Sequence, residues 1–444
     1  MRPTDPGEAA VRIAFVSQPF DSLQPDALNS VGLVTQHLAR RLARQSDVTV
    51  YCSATVEGNR RLAADRALTD DGIAYRVTTA STRDRTVARA WGHLAPLAGR
   101  LRHGLTPPIS TSSLLGAHYL AEVVRDIAAS PPDVIHVQHC TQFLPALREA
   151  APRAAIILHA HAEWFPQSPA RTLAARLRSA DHVITCSDYV RDRAVAYIPE
   201  LAGRCSTVHN GVDMNSFDAR SRTDHRVGDR PFLLQVGAVS PHKGVHDTVD
   251  AFIRLAPRHP DLQLRVGGPS GDYPTEETFP LDDPAELRPL APFYGGDYLE
   301  CLRAKVPPAL ADRVIFTGWL SPEPLIDHLH EAAVVVFPPV WDEGFGLPAL
   351  EGLAAGIPVV ATRSGALPEI VVDGTCGYIV DKHDPAALAG AIDRLLADDP
   401  LRAELGAAGW QRAHQHFDWD IVARRLTEVY DVARAQVGRA LTPG

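Results

Sequence analysis

The sequence predicts an α/β protein of two domains, each built around a parallel β-sheet. Short, uninterrupted apolar runs recur along the chain, such as Ala155–Leu158 and Val334–Phe337, and they are typical of strands buried on both faces of a parallel sheet. Segments with the apolar spacing of a helix lie between these runs. The chain has 444 residues, about three times the length of a typical domain, so we expect two domains of roughly 200 residues.

The composition is that of an ordinary globular protein: 45% of the residues are apolar and 22% are charged. The net charge of −9 argues against nucleic acid as a partner. The six cysteines are scattered without a C-x-x-C pair, which favours reduced thiols. No apolar run approaches the roughly 18 residues of a membrane span, and Met1–Ala10 lacks the pattern of a signal peptide, so we expect a cytoplasmic protein.

The first half opens with a strand at Val11–Val16, a helix at Val31–Arg44 and a strand at Val48–Cys52. The loop between the first strand and the helix lacks the G-x-G-x-x-G pattern of dinucleotide-binding proteins. Gly32 begins the helix, where it either borders a bound ligand or serves a tight turn. Further strands of this half are predicted at 133–137 and 182–187.

A buried strand at Ala155–Leu158 leads into a histidine-rich segment. We expect the side chains of His159 and His161 to point to opposite faces, which makes a shared metal site unfavourable; one of them would face a ligand and the other would be structural. Trp164 and Phe165 come next in the chain. They either form an apolar platform for a substrate or pack against their own loop.

The second half begins with a strand at Pro231–Val236 and a loop that starts at Gly237 and ends in Lys243-Gly244. The chain has only three lysines against 41 arginines, so a lysine at this position is unlikely to be a neutral surface choice. A compact ammonium group at the start of a helix is a good ligand for a diphosphate.

The most informative stretch is 332–369, which predicts a strand, a glycine-containing loop, a helix and another strand. Glu343 lies just before the helix and Glu351 about one turn inside it, so both carboxylates can face one cleft. Free N–H groups at a helix start attract an anion, whereas carboxylates accept hydrogen bonds from hydroxyls. A nucleotide sugar combines these features, although both glutamates could also be ordinary solvated residues.

Glu343–Glu351 resembles the E-x7-E signature of the retaining glycosyltransferases of family 4, which have the GT-B fold. Ala354–Val360 and Gly365–Glu369 match the segments on the C-terminal side of this signature in that family, and Asn210–Asp213 resembles its N-G-V-D turn. The resemblance covers nearly the whole chain and is weakest at 54–130 and 270–308. It implies two Rossmann-like domains facing across a cleft, with a C-terminal helix crossing back to the N-terminal domain. The expected divisions are an acceptor-binding domain at 1–214, a linker at 215–230, a nucleotide-sugar-binding domain at 231–416 and the returning helix at 417–444.

The resemblance also implies a site. The donor-binding residues would be Gly32, Gly237, Lys243, Glu343, Gly344, Phe345, Gly346, Leu347 and Glu351. The catalytic residues would be His161, Lys243 and Glu343, and Trp164 and Phe165 would bind the acceptor. Lys243 and the amides around Gly346 would hold the diphosphate. Glu343 would bind the sugar hydroxyls, Glu351 the ribose, and His161 the 6-position side of the sugar. The family usually has an arginine where this chain has Ala238, so His242, Arg363 or an arginine of the first domain would replace it.

The resemblance implies a retaining hexosyltransferase, and we expect it to need no metal and no cofactor. The donor would be a nucleoside diphosphate sugar, with a UDP-sugar favoured and GDP-mannose next. The acceptor would be a small molecule, a lipid-linked saccharide or a protein, in glycolipid, polysaccharide or natural-product glycoside synthesis. The alternatives are a non-catalytic protein that binds nucleotide sugars and a sugar-nucleotide epimerase. Asp418-Trp-Asp420 spells the D-x-D of metal-dependent transferases, but it opens a helix, and we interpret Asp418 as an N-cap.

The charge is unevenly distributed. Up to Met214 there are 23 arginines against 20 acidic residues, a net charge of +3. Arg40, Arg41 and Arg178 lie in basic helical segments of this half. Peripheral contact with the inner face of a membrane is therefore a further expectation, although solvated helix faces explain the same residues.

Overall fold

The computed structural model of the chain describes residues 10–23, 29–54, 56, 59, 69–70, 72–79, 82, 86, 116–163, 165–218, 230–270, 288–293 and 296–441. Trp164 and most of the segments 80–118 and 271–287 lie outside these residues. The chain forms two compact units. Unit 1 contains Met1–Cys186, Val190–Val208 and Val422–Gly444, and unit 2 contains Ser187–Tyr189 and His209–Ile421.

Unit 1 is built on an eight-stranded sheet in the order β3-β4-β2-β1-β5-β6-β7-β8. The strands are β1 Val11–Val16, β2 Ser46–Ser53, β3 Thr69–Asp70, β4 Ile73–Thr78, β5 Val134–Gln138, β6 Ala155–Ala160, β7 His182–Thr185 and β8 Cys205–Thr207. The two-residue β3 is antiparallel to β4, and the other pairs are parallel. Every residue of β5 and β6 is buried, as expected for central strands of a parallel sheet.

In the described part of the chain up to residue 218, the helices are α1 Ser30–Leu42, α2 Ala117–Ala129, α3 Leu144–Ala150, α4 Ala170–Leu177, α5 Asp188–Tyr197 and α6 Met214–Asp218. The side chain of Asn29 caps α1 by accepting the Gly32 N–H at 2.7 Å. Val34, Leu38 and Leu42 are buried on one face of α1, which is the face that the helical apolar spacing predicts. The predicted linker at 215–230 overlaps α6, and its residues 219–229 lie outside the described part of the chain.

Unit 2 is built on a six-stranded parallel sheet in the order β11-β10-β9-β12-β13-β14. The strands are β9 Phe232–Val236, β10 Gln263–Gly267, β11 Val314–Gly318, β12 Val334–Phe337, β13 Val359–Thr362 and β14 Gly377–Val380. The remaining helices are α7 Val245–Leu255, α8 Tyr298–Lys305, α9 Pro322–Glu331, α10 Leu347–Ala354, α11 Leu367–Ile370, α12 Pro385–Ala397, α13 Asp399–His416 and α14 Trp419–Leu441. Central strands β12 and β13 are buried along their whole length.

The C-terminal helix α14 belongs to unit 1 from Val422 onward. Leu426 and Tyr430 of α14 are buried, and the Tyr430 hydroxyl forms a 2.6 Å hydrogen bond with Nδ1 of His136 on β5. The predicted pair of parallel-sheet α/β domains and the return of the final helix are therefore confirmed. At the start of α14, the Asp418 carboxylate accepts the Asp420 N–H at 2.7 Å, which is the bonding of an N-cap.

Candidate active site

Three strands of unit 2 bring the predicted donor residues, apart from Gly32, to one edge of the sheet. β9 is followed by Gly237, β12 by the loop 338–346 and β13 by the loop 363–366. Because all strands of this sheet are parallel, these loops meet at its carboxyl edge. Open α/β sheets bind their ligands at that edge.

Lys243 ends a short 3₁₀ turn, Pro241–Lys243, directly before α7. The next residue, Gly244, has a φ of +66°, and a Cβ there would lie 1.9 Å from the carbonyl oxygen of Pro338. Only glycine fits this contact. Gly244 therefore lets the Lys243 loop touch the loop after β12, which carries Glu343.

Lys243 and Glu343 form a direct ion pair. Nζ of Lys243 lies 2.7 Å from Oε2 and 3.1 Å from Oε1 of Glu343. The indole N–H of Trp341 donates to Oε2 of Glu343 at 3.0 Å, and Nζ of Lys243 lies 5.3 Å from the centroid of the Trp341 ring. The lysine and glutamate side chains are only 17% and 13% exposed, so the pair is largely shielded from water.

The loop after β13 fixes the backbone of Glu343. The Glu343 N–H donates to Oγ of Ser364 at 3.2 Å, and its carbonyl oxygen accepts the Ala366 N–H at 2.9 Å. Gly365 has a φ of +48°, and a Cβ there would lie 2.2 Å from the Glu343 carbonyl oxygen. Close backbone contact thus explains this glycine of the 365–369 motif.

A second ion pair, which was not predicted from the sequence, lies one residue before Glu343. Nζ of Lys382 is 2.7 Å from Oδ1 of Asp342, and the same oxygen accepts the Gly365 N–H at 3.0 Å. Burial alone would raise the pKa of Asp342, but the hydrogen bond and charge of Lys382 outweigh it and lower the pKa. The scarcity of lysine was the signal that could have identified Lys382, since it applies to all three lysines equally.

The start of α10 presents the predicted anion site. The N–H groups of Gly346 and Leu347 have no hydrogen-bond partner within the described part of the chain, as is usual for a first helical turn. Gly346 has a φ of +104°, and a Cβ there would lie 2.4 Å from Leu367. Phe345 is buried, with its ring near those of His209 and Phe417, so only its backbone is placed for a ligand. The Gly344 carbonyl accepts the Ser187 hydroxyl at 2.7 Å.

Glu351 lies in the second turn of α10 and is partly buried. Its carboxylate has no hydrogen-bond partner among the described residues. Burial raises the pKa of Glu351 to about 7. A buried carboxylate without a hydrogen-bond partner is stabilised by a ligand whose hydroxyl groups donate hydrogen bonds to it. The ribose that is predicted to contact Glu351 has such hydroxyl groups.

Two of the proposed replacements for an arginine at Ala238 can be assessed within unit 2. His242 is buried, and burial and then the charge of Lys243 lower its pKa to about 3. Its imidazole is therefore neutral. The Arg363 side chain is 60% exposed, and its Nε lies 3.6 Å from Oδ1 of Asp381, so of these two candidates only Arg363 carries a positive charge.

In unit 1, His161 directly follows β6. Its Nε2 lies 2.6 Å from Oε1 of Gln138, and its backbone N–H donates to Nδ1 of His139 at 3.2 Å. The amide group of Gln138 donates in turn to Oγ1 of Thr35 on α1, at 2.9 Å. Burial and then the neighbouring histidines lower the pKa of His161 well below its ordinary value. A neutral His161 that donates from Nε2 keeps a lone pair on Nδ1, and this buried atom has no hydrogen-bond partner among the described residues.

The expectation that His159 and His161 point to opposite faces is wrong. Their ring centroids lie 3.9 Å apart, because residues two apart in a strand share a face. His159 is fully buried, and its Nδ1 lies 3.2 Å from Nε2 of His136. His159 therefore belongs to the interior of unit 1, and His161 borders it.

Gly32 is explained by packing. A Cβ on Gly32 would lie 2.0 Å from the carbonyl oxygen of Ser22, and its N–H is already used by Asn29. This geometry requires a glycine without any ligand. A donor contact for Gly32 remains a prediction.

Phe165 lies in the core of unit 1 and also lines a small pocket that is open to solvent. Gln18, His139 and Ser168 add polar groups to this pocket. The ring of Phe165 therefore packs in the core, and its contact with an acceptor stays a prediction. Trp164, the other predicted acceptor residue, lies outside the described residues.

Two family models match the chain: "Glycosyltransferase Family 4" over residues 31–216 and "Glycosyl transferases group 1" over residues 218–412. Together with the two parallel-sheet units and the site at the sheet edge, they define a glycosyltransferase of the GT-B fold. The chain belongs to glycosyltransferase family 4.

Three relatives illustrate the similarity. The GDP-mannose-dependent alpha-(1-6)-phosphatidylinositol monomannoside mannosyltransferase of Mycolicibacterium smegmatis is 33% identical over 300 residues, which cover 64% of this chain and 71% of that protein. The D-inositol 3-phosphate glycosyltransferase of a Nocardioides species is 27% identical over 98% of this chain and 92% of that protein. The protein of the same name in Corynebacterium diphtheriae is 38% identical, but the match covers only 46% of this chain and 43% of that protein.

Solved structures share the fold at low identity. Anabaena Alr3699/HepE in complex with UDP has a TM-score of 0.68 at 19% identity, covering 95% of this chain and 100% of that chain. Sucrose-phosphate synthase from Thermosynechococcus elongatus has a TM-score of 0.67 at 21% identity, covering 96% of this chain and 100% of that chain. Among the described residues, no helix is long and apolar enough to cross a bilayer.

Proposed function

We propose that this glycosyltransferase moves a hexose, with retention and without a metal ion, from a UDP-sugar to a hydroxyl of a phosphorylated inositol acceptor. The shielded ion pair between Lys243 and Glu343, near the start of α10, is the observation that carries the donor part of this proposal. GDP-mannose is the next donor to consider, since one relative is named for it. The solved neighbour crystallised with UDP supports the uridine donor.

The ion pair suits a donor that carries both phosphates and hydroxyls. Without a ligand, the ammonium of Lys243 and the carboxylate of Glu343 neutralise each other. A diphosphate competes for the ammonium, while sugar hydroxyls donate to the carboxylate, which only accepts hydrogen bonds. Each partner thereby exchanges one charged or polar contact for another, and neither is left unpaired when the donor binds.

The same groups stabilise the leaving group. As the bond between C1 of the sugar and the diphosphate oxygen breaks, negative charge develops on the diphosphate. Lys243 and the N–H groups of Gly346 and Leu347 would stabilise that charge. The acceptor oxygen attacks C1 from the side of the leaving group, its proton passes to a diphosphate oxygen, and the configuration at C1 is kept. No protein base is needed.

Two further groups fit the rest of the nucleotide. Glu351 would accept hydrogen bonds from the ribose hydroxyls, which gives its unpartnered carboxylate donors. Trp319 follows β11 at the same edge of the sheet, and 49% of it is exposed. An exposed indole face is suited to stacking on a base.

The acceptor part of the proposal is supported by the names of the relatives and by the pocket of unit 1. Relatives are named for D-inositol 3-phosphate or for a phosphatidylinositol mannoside, and both acceptors carry a phosphorylated inositol. The pocket beside Phe165 offers polar groups and an apolar wall. His161, at the end of β6, is the nearest predicted catalytic group along the chain, and its contact with the donor sugar stays a prediction.

The test is a matrix of donors and acceptors. UDP-glucose, UDP-N-acetylglucosamine, GDP-mannose and ADP-glucose are each incubated with inositol 3-phosphate, with phosphatidylinositol vesicles or with no acceptor, and free nucleoside diphosphate is measured. Acceptor-dependent release of UDP, with an NMR-defined α linkage from the α-linked donor, supports the proposal. Epimerised donor without release of diphosphate, or binding without turnover across the whole matrix, would overturn it.

A further inference from the structure

A cluster away from the ion pair has the composition of a metal site. Nitrogens of His246 and His383 and a carboxylate oxygen of Asp247 all lie within 4.8 Å of one another. His246 and Asp247 begin α7, and His383 lies in the loop between β14 and α12. Three side chains from two segments therefore converge on one point.

The carboxylate of Asp247 is the least satisfied of these groups. Its side chain is 10% exposed, and its Oδ2 has no hydrogen-bond partner within the described part of the chain. Oδ1 lies 3.7 Å from Nε2 of His246, too far for a hydrogen bond. Two ligands of a tetrahedral ion, each about 2.0 to 2.2 Å from the metal, are separated by a similar distance.

His246 is held in the orientation that a metal ligand needs. The Tyr298 hydroxyl oxygen accepts the backbone N–H of His246 at 3.1 Å and lies 2.9 Å from its Nδ1. When Nδ1 also donates to this oxygen, the lone pair of Nε2 faces the carboxylate of Asp247. An outer partner of this kind fixes the tautomer and the ring direction of a ligating histidine.

The local charge also favours a cation. Burial, followed by the charge of Asp250, raises the pKa of Asp247 to about 6, and Lys305 only partly opposes this. Lys305 is itself paired with Asp250 at 2.8 Å, and Asp384 adds a further negative charge. Burial lowers the pKa of His246 to about 3, so its imidazole is neutral. Three carboxylates, those of Asp247, Asp250 and Asp384, thus lie near a single lysine, Lys305.

A second cluster, of Asp188, His209 and Glu369, has similar spacing, but its glutamate already has hydrogen-bond partners. The two carboxylate oxygens of Glu369 already accept the N–H groups of Asp188 and Tyr189, at 2.8 and 2.7 Å, and one of them contacts His209. Glu369 therefore caps the start of α5. Of the two clusters, only the first keeps a buried, unpartnered carboxylate oxygen.

We propose that His246, Asp247 and His383 bind one Zn²⁺, with water in the fourth position. Two imidazoles and one carboxylate are ligands that Zn²⁺ accepts, and the exposed side of His383 leaves the fourth position open to solvent. The ion would join the start of α7 to the loop after β14. Lys243 lies three residues before His246, and Lys382 directly precedes His383, so the ion would hold the two segments that carry these lysines. Its role is structural, and it takes no part in the transfer step.

The test is direct zinc binding by the purified full chain, after treatment with a chelator. Zn²⁺ is titrated in competition with a chromophoric chelator, and bound metal is counted by mass spectrometry. The first variant is His383→Gly, which removes a ligand and also suits the φ of +58° at this residue. The second is Asp247→Asn, which keeps the shape of the side chain. The matched control is His328→Ala, which removes a histidine outside both clusters.

We expect one Zn²⁺ per chain for the wild type and for His328→Ala. His383→Gly and Asp247→Asn should each weaken binding by at least about 10- to 100-fold, the loss that an outer partner alone can cause. Tyr298→Phe should weaken it by about tenfold. Zn²⁺ should raise the thermal midpoint of the wild type but not that of His383→Gly. The proposal is overturned if the wild type binds no stoichiometric Zn²⁺, or if His383→Gly and Asp247→Asn bind it as tightly as the control.

Discussion

Lys243 and Lys382 hold adjacent carboxylates of one loop, and both do so at an Nζ–oxygen distance of 2.7 Å, with Glu343 and Asp342 respectively. The third lysine of the chain, Lys305, also pairs with a carboxylate, that of Asp250. The two ion pairs near the start of α10 differ in the other contacts that their carboxylates make. Asp342 also accepts the Gly365 N–H, so its pair shapes the loop, whereas the carboxylate of Glu343 contacts only Lys243 and Trp341 among the described residues.

Lys243→Ala and Glu343→Ala should each lower kcat/KM by about 100-fold or more, the usual effect of losing one group that stabilises charge in an active site. The double variant should lose less than the product of the two single losses, because each single change leaves the other charge unpaired. Steady-state kinetics on folded variants, checked by circular dichroism, measures this. Lys305→Ala is the matched control and should leave turnover largely unchanged. Near-normal turnover in both single variants would contradict the site.

Glu351 should link nucleotide binding to pH. Ribose hydroxyls that donate to its carboxylate favour the ionised form, so UDP binding near pH 6.5 should release protons from a group whose pKa is about 7. Calorimetry in buffers of different ionisation enthalpy measures this release. Glu351→Gln should weaken UDP binding and abolish the release, whereas Glu343→Gln should spare free UDP. Equal losses in the two variants would mean that their roles are wrongly assigned.

The same pKa predicts a stability effect. Burial raises the pKa of Glu351 from its ordinary 4.5 to about 7, so the folded state holds this proton more tightly than the unfolded state. This contribution to stability is complete below about pH 4.5 and is lost as the pH rises to about 7. Glu351→Gln should therefore gain in thermal midpoint relative to the wild type between pH 5 and 8. Glu404→Gln, on the exposed side of α13, should show no such gain.

Gly244→Ala should destabilise the protein more than Gly374→Ala. Both glycines have nearly the same φ, +66° and +69°, but nothing lies within 4 Å of a Cβ on Gly374, whereas one on Gly244 meets the Pro338 carbonyl. Both variants carry the cost of a left-handed residue, about 1 to 2 kcal/mol, and Gly244→Ala adds about 1 to 3 kcal/mol for overpacking. Denaturant titration measures the difference. Equal losses would argue against the contact between the two loops.

EDTA should leave the initial rate of transfer largely unchanged, because we assign charge stabilisation to Lys243 and backbone N–H groups. If the zinc site exists, EDTA should lower the thermal midpoint instead. Comparing the two readouts on one EDTA-treated sample separates catalysis from stability. Loss of the initial rate at a temperature where the protein stays folded, with rescue by Mn²⁺ or Mg²⁺, would refute metal-independent transfer.

Binding to anionic vesicles should be electrostatic. Arg40 and Arg41 lie in the last turn of α1, and Arg178 is an exposed residue that ends α4. The large apolar residues of α1 are mostly buried, so charge rather than an apolar face would drive contact. Co-sedimentation should therefore fall with salt and on reversing these three charges to Glu, whereas Arg303→Glu should have no effect. No binding at low salt would leave a free inositol phosphate as the preferred acceptor.

The sequence by itself determined the two parallel-sheet domains and most of their elements. The strand Val334–Phe337 has the bounds of the apolar run that predicts it, because uninterrupted apolar runs and helical spacing are local signals. The sequence also identified both Lys243 and Glu343 as candidate site residues, Lys243 from the rarity of lysine and Glu343 from the E-x7-E motif. These two residues are 100 positions apart in the chain. Helix α9 and strand β4 were missed, although the apolar spacing of α9 is as pronounced as that of α1, which was predicted.

Only the tertiary structure decided what these residues do to one another. That Lys243 neutralises Glu343, that Lys382 holds Asp342 and that His383 approaches His246 depends on which parallel strands are neighbours in the sheet. The same holds for Gly244 and Gly365, because each is required by a carbonyl group of another loop, that of Pro338 and that of Glu343. A sequence specifies local conformation through side-chain spacing, whereas contacts between distant loops, and the pKa values that burial shifts, exist only once the chain has packed.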